Sequence, residues 1–159
     1  MVDCGASPPA PHDKAAHASP LAFEMTYGKE RVFVSCGTHP DQPVWTDVLR
    51  ATAAHNTATI DNRNACEIRE NGHFSRKVKT LEVKREDSKD AIMLETSHDG
   101  YATLNGFTHY RRFFLGEKGH DLRGEDMFTF SVPPTAPKEI AIRFHIHPRV
   151  NVSLVKDDR

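Results

Sequence analysis

Glu139-Ile140-Ala141-Ile142-Arg143-Phe144-His145-Ile146-His147 alternates at every step. Successive side chains of an extended chain point to opposite faces, so Ile140, Ile142, Phe144 and Ile146 share one face and Ala141, Arg143, His145 and His147 the other. The pattern predicts a strand with its apolar face on a core and its polar face in water. The same period recurs upstream. Residues 21–27 set Leu21, Phe23 and Met25 against Glu24 and Thr26. Gly28-Lys29-Glu30 then turns the chain into residues 31–36, and the two runs predict a β-hairpin. Further strand-like runs occupy 57–61, 78–85, 92–97, 107–115, 126–132 and 150–155. Turn chemistry punctuates them at Asp61-Asn62-Arg63-Asn64, Ser88-Lys89-Asp90 and Asp99-Gly100. Residues 44–54, carrying Trp45, fit a short helix or an irregular excursion, and the proline-bearing residues 1–16 an irregular lead-in. Many short strands joined by turns define the expected class: all-β, an antiparallel two-sheet β-sandwich forming one domain over residues 1–159. The chain stops just after an alternating run, as a truncated sandwich would.

Composition narrows the function classes. The 159 residues carry 21 basic and 22 acidic side chains, interspersed, for a formal net charge of -1. Such a balance offers no basic field for nucleic acid or an anionic membrane, although a local arginine cluster could still grip an acidic polysaccharide. Cys4, Cys36 and Cys66 are an odd number at wide spacing, neither a disulfide framework nor a CxxC metal site, and read as free thiols. No apolar run approaches the roughly 18 residues of a membrane span. A domain this long buries roughly 70% of its unfolded surface and needs no metal merely to fold.

Ten histidines are many for this length. His17 and His55 each stand at the entrance to a strand-like run. Two imidazoles on the ends of neighbouring strands could bind Zn²⁺ or act as acid and base near neutral pH. The plainer alternative is an ordinary polar residue at a strand end. Asn56, beside His55, could contact a substrate carboxylate or cap a turn. His145 and His147 share a strand face at HxH spacing, which suits a metal, or a solvated polar face. Ser97-His98-Asp99 is not a catalytic relay, because adjacent strand residues point apart. Arg111 and Arg112 offer guanidinium groups for carboxylate or sulfate, and Trp45 offers a ring for stacking on sugar.

Taken in order, these segments resemble the C-terminal region of the heparinase II/III family of polysaccharide lyases. The string is His17-Ala18-Ser19 with Leu21-Ala22-Phe23-Glu24; Val32-Phe33-Val34-Ser35-Cys36-Gly37; Trp45; and Arg50-Ala51-Thr52-Ala53-Ala54-His55-Asn56-Thr57. It continues with Ser97-His98-Asp99-Gly100-Tyr101, His109-Tyr110-Arg111-Arg112, and Arg143-Phe144-His145-Ile146-His147-Pro148. The resemblance implies the β-sandwich part of a larger lyase, whose N-terminal α/α toroid is not among these residues. It implies β-elimination on uronate-containing acidic polysaccharides, a periplasmic or cell-envelope setting, and no activity for the sandwich alone. It implies catalytic roles for His17, His55 and Asn56, substrate contacts for Arg111, Arg112 and Trp45, and a zinc held by His17 and His55. Three family positions depart: a first histidine reads Ala15, the aspartate of the same motif reads Ser19, and the aspartate zinc ligand on the next strand reads Ser35, so any Zn²⁺ would be weakly held. The expected partners are an acidic polysaccharide and the toroid of the same protein. A non-catalytic carbohydrate-binding or structural sandwich, and a metal module built on His145 and His147, are the competing readings.

Overall fold

The computed structural model describes residues 1–39, 41–130, 133 and 136–153. Its main layer is a four-stranded antiparallel sheet of β4 (Thr80–Asp87), β5 (Ile92–Tyr101), β6 (Phe107–Gly116) and β7 (Asp121–Phe130), in that spatial order. Against it lie a hairpin of β1 (Met25–Tyr27) and β2 (Glu30–Phe33), and a two-stranded pair of β3 (Ala58–Ile60) with β8 (Ile140–Ile142). The fold is all-β and antiparallel, consistent with a sandwich, as its alternating runs predict.

The strands form where β-branched and aromatic residues alternate. β6 is the clearest case: from Phe107 to Phe113 the odd-numbered residues Phe107, His109, Arg111 and Phe113 are buried. Pairing with β7 runs unbroken from Phe107 opposite Phe130 to Gly116 opposite Asp121. β7 therefore begins five residues before the run 126–132 suggested; Ser131 and Val132 lie outside the described residues. So do Leu154 and Val155 of the expected last strand, and residues 150–153 are not strand. The segment 44–54 resolves into helix α1 (Pro43–Arg50) and a 3-10 turn at Thr52–Ala54.

Asp99-Gly100 is not a turn. Both residues continue β5 through a bulge between His98 and Tyr101, and the chain reverses through helix α2 (Ala102–Asn105) instead. Gly100 is needed for close approach rather than for turning. A Cβ there would come within 2.9 Å of the Ala65 carbonyl, His98 Nδ1 and a Val78 methyl.

The principal core gathers Ala18, Ile60, Ala65, Cys66, Phe74, Val78, Tyr101 and Phe107. A smaller aromatic cluster joins the layers, with the Phe23 ring 4.9 Å from Phe113 and 5.1 Å from Phe33. Segment 139–147 reverses the expected facing. Ile140, Ile142, Phe144 and Ile146 are 37–52% exposed. Arg143 and His145 of the other face turn inward, because polar partners wait there. Arg143 donates to Thr59 Oγ1 at 2.6 Å, the His145 N–H to Asn56 Oδ1 at 2.5 Å, and His145 Nε2 to the Ala53 carbonyl at 3.0 Å.

Candidate active site

His17 and His55 meet. His17 Nδ1 lies 3.0 Å from His55 Nε2, with the rings edge to face at 5.0 Å. Neither segment reaches the other through a strand ladder. Polar side chains stitch them. Arg50 donates Nε to the Ala16 carbonyl, the Ala18 N–H donates to the Arg50 carbonyl, and Thr52 Oγ1 donates to the Ala18 carbonyl. Farther along, Thr57 Oγ1 donates to the Pro20 carbonyl. Each neutral bond of this kind contributes about 1 kcal/mol net, and a buried carbonyl left without one costs more.

His55 is buried and His17 half-buried. Burial first, then the charge of His17, push the His55 imidazole down to about 4, against a backbone hydrogen bond at Leu49. Burial first, then Arg50, lower His17. Both rings are therefore neutral at pH 7 and can accept a proton. His55 Nδ1 faces Ser35 Oγ at 3.3 Å, and the Ser35 N–H donates to Glu24 Oε1. The pair opens into a cleft of about 640 Å³, whose other lining side chains include Asp3, Ser19, Glu24, Ser35 and Thr38.

The donor set does not fit a three-ligand zinc. Two nitrogens 3.0 Å apart could occupy two corners of a coordination tetrahedron. The residue at the aspartate position, Ser35, instead lies against Nδ1 of His55, the nitrogen turned away from His17. Among the described residues no group of three His, Cys, Asp or Glu side chains converges. His145 and His147 do not form a second centre. His145 is tied to Ala53 and to Cys36 Sγ at 3.5 Å, while His147 lies against Arg31 and Arg149.

Four expected contact residues are placed elsewhere, none of them lining this cleft. Asn56 has no exposed surface: its amide donates to the carbonyls of Phe23 and Val34, and its oxygen takes the His145 N–H, so nothing remains for a substrate carboxylate. Arg111 is 2% exposed and chelates Asp126 while donating to two main-chain carbonyls, which removes it from any incoming anion. Arg112 emerges on the opposite face of β6, paired with Glu95 and Glu125. Trp45 stands on α1, 45% exposed, with Val44 and Val48 also open to solvent.

The sequence reading missed Arg50, Thr52 and Thr57, which position the pair. Their signal was polar residues inside an apolar stretch, flanking a histidine. It missed Asp126 as well, whose partners lie 15 and 17 residues away along the chain.

The heparinase II/III-like, C-terminal family matches residues 1–159, the whole chain. The chain belongs to that family. A similar curated protein is "FtsZ-localized protein C" from Caulobacter vibrioides (strain NA1000 / CB15N), 31% identical over 175 residues. That match covers all of this chain and 30% of the relative, so the chain spans less than a third of that protein's length. No solved structure matches. Among the described residues, no helix of the domain is long and apolar enough to cross a membrane.

Proposed function

We propose that this heparinase II/III-like domain forms one wall of a polysaccharide lyase cleft and supplies its proton-transfer pair, His17 and His55. The observation that carries the reading is the pair itself: two neutral imidazoles in contact, one buried and one facing an open cleft. In β-elimination on a 4-linked uronate, a base removes the proton α to the carboxylate. The C–H electrons form a double bond to C4, the C4–O bond breaks, and the departing oxygen takes back a proton from the imidazolium formed in the first step. His17 receives the first proton, and His55 behind it spreads the charge through their shared hydrogen bond. The carboxylate must be neutralised to acidify that C–H. With Arg111 and Asn56 committed inside the domain and Asp3 and Glu24 in the cleft, this neutralising group comes from another part of the full-length protein, as the toroid would provide. Trp45 offers a sugar-stacking surface. No step passes through zinc.

A second reading, a non-catalytic recognition domain, is favoured by two observations. The side chains of fixed charge lining the cleft, Asp3 and Glu24, are anionic, and the similar Caulobacter protein is named for localisation with FtsZ rather than for an activity. The test is full-length protein incubated with a panel of uronate polysaccharides while ultraviolet absorbance follows unsaturated uronide ends. Rising absorbance on one polymer, absent with the isolated 159-residue chain, supports the lyase. No signal on any polymer, with binding retained, replaces it by the second reading.

A further inference from the structure

Arg111 is four residues into β6 and buried among groups the proposed chemistry does not use. Its Nη1 donates to the carbonyl of Leu21 at 2.9 Å and to the carbonyl of Asn56 at 2.5 Å. Leu21 closes the segment that begins at His17, and Asn56 follows His55. One guanidinium nitrogen thus joins the two segments whose histidines form the pair. The opposite edge of the same group is fixed: Nε and Nη2 donate to the two oxygens of Asp126, at 2.7 and 2.9 Å. Four of the five N–H groups an arginine carries are used. The planar fork leaves little rotational freedom, which a lysine ammonium cannot reproduce.

Asp126 is fixed in turn. Its Oδ1 also accepts from His109 Nε2 at 2.6 Å. His109 therefore presents an unprotonated Nδ1, which accepts from His98 Nε2 at 3.1 Å, and His98 Nδ1 accepts the Gly100 N–H at 3.0 Å. Both imidazoles are fully buried, and Phe128 stacks on His109 at 4.6 Å. Every donor in this chain points one way, from the β5 bulge towards Asp126. The result is a rigid strut running across β5, β6 and β7 and ending in a guanidinium.

We propose that Arg111 is a positioning residue, clasping the Leu21 and Asn56 carbonyls so that the imidazoles of His17 and His55 come into contact. The proposal rests on the reading of that pair as the working site, but its test does not depend on turnover. In NMR spectra of the chain, the native protein shows cross-relaxation between the His17 and His55 rings and between the His98 and His109 rings. Arg111→Lys keeps a cation for Asp126, but its three N–H donors on one nitrogen cannot make the four bonds that hold both carbonyls and both Asp126 oxygens. Loss of the His17–His55 signal with the His98–His109 signal retained supports the clasp; retention of both overturns it. If Arg111→Lys does not fold, the native protein decides. A slowly rotating Arg111 guanidinium with couplings across its hydrogen bonds to the Leu21 and Asn56 carbonyl carbons supports the proposal, and a freely rotating one overturns it. Absence of turnover in the full-length enzyme would remove the lyase reading and leave this result standing.

Discussion

Phe23 and Phe144 belong to one aromatic cluster, yet their burial sets different energetic weights. Phe23 is 6% exposed and touches Phe33, Phe113 and Phe144; Phe144 is 52% exposed and meets Phe23 and Phe33 only at 6.1 Å. Phe23→Ala is expected to cost about 3–5 kcal/mol, in the range for a buried phenylalanine. Phe144→Ala should cost about 1 kcal/mol, because much of its surface never leaves water. Urea denaturation of both variants checks the ordering; equal losses would show that the cluster is not organised around Phe23. Gly100→Ala is a steric case. Its new methyl would strike a backbone carbonyl and two side chains at 2.9 Å, with an expected loss of about 1–3 kcal/mol in the same measurement. At this scale the histidine pair was legible, because His17 and His55 are the residue types such chemistry needs. The commitments of Asn56 and Arg111 were not. A sequence shows a polar side chain but not which carbonyls the fold will bring to it.

The strut across β5, β6 and β7 gives the four-stranded sheet a pH dependence whose sign follows from burial. His98 is held well below its usual value by burial first, then by His109 and Arg111. His109 is lowered by burial, against the opposing bond to Asp126. In the unfolded chain both histidines take up protons as pH falls through about 6.5, while in the folded sheet they resist. The unfolded state then binds more protons, so stability falls as pH drops below that value. Burial tends to raise Asp126, but its bonds to His109 and Arg111 bring it down to about 2. Its contribution is present above about pH 4 and is lost as pH falls towards the folded value. The urea midpoint is therefore expected to be lower at about pH 5.5 than at about pH 7.5. An unchanged midpoint would contradict a neutral, buried His98–His109 pair. Element type was largely readable, since alternation marks strands whatever they pack on. Element ends were less so: β7 begins in Asp121-Leu122-Arg123-Gly124, whose polar residues pair with β6 through backbone groups that leave no mark on composition.

For the whole molecule, alternation announced the sandwich but not which faces close it. Segment 139–147 turns its polar residues to Thr59, Asn56 and Ala53, and leaves Ile140, Ile142, Phe144 and Ile146 partly open. Hydropathy alone favours the opposite facing. Three specific polar partners outweigh it here, because leaving the Asn56, Thr59 and Ala53 groups unbonded inside would cost more than exposing part of four apolar side chains. The site shows the same division. Its two imidazoles are in place, while a carboxylate-neutralising group and a third metal ligand are absent from the described cleft. Zinc is accordingly expected to add no stability to the chain: its thermal midpoint should be the same with equimolar Zn²⁺ as with a chelator, whereas a metal-dependent rise would indicate a ligand set beyond His17 and His55. The central claim concerns His17 as the proton acceptor of an elimination. Its most direct measurement is the rate of unsaturated uronide formation by the full-length protein and by its His17→Gln variant, on the polymer each binds equally. The account predicts that turnover falls by about a hundredfold or more with affinity unchanged. Equal rates in the two proteins would contradict it.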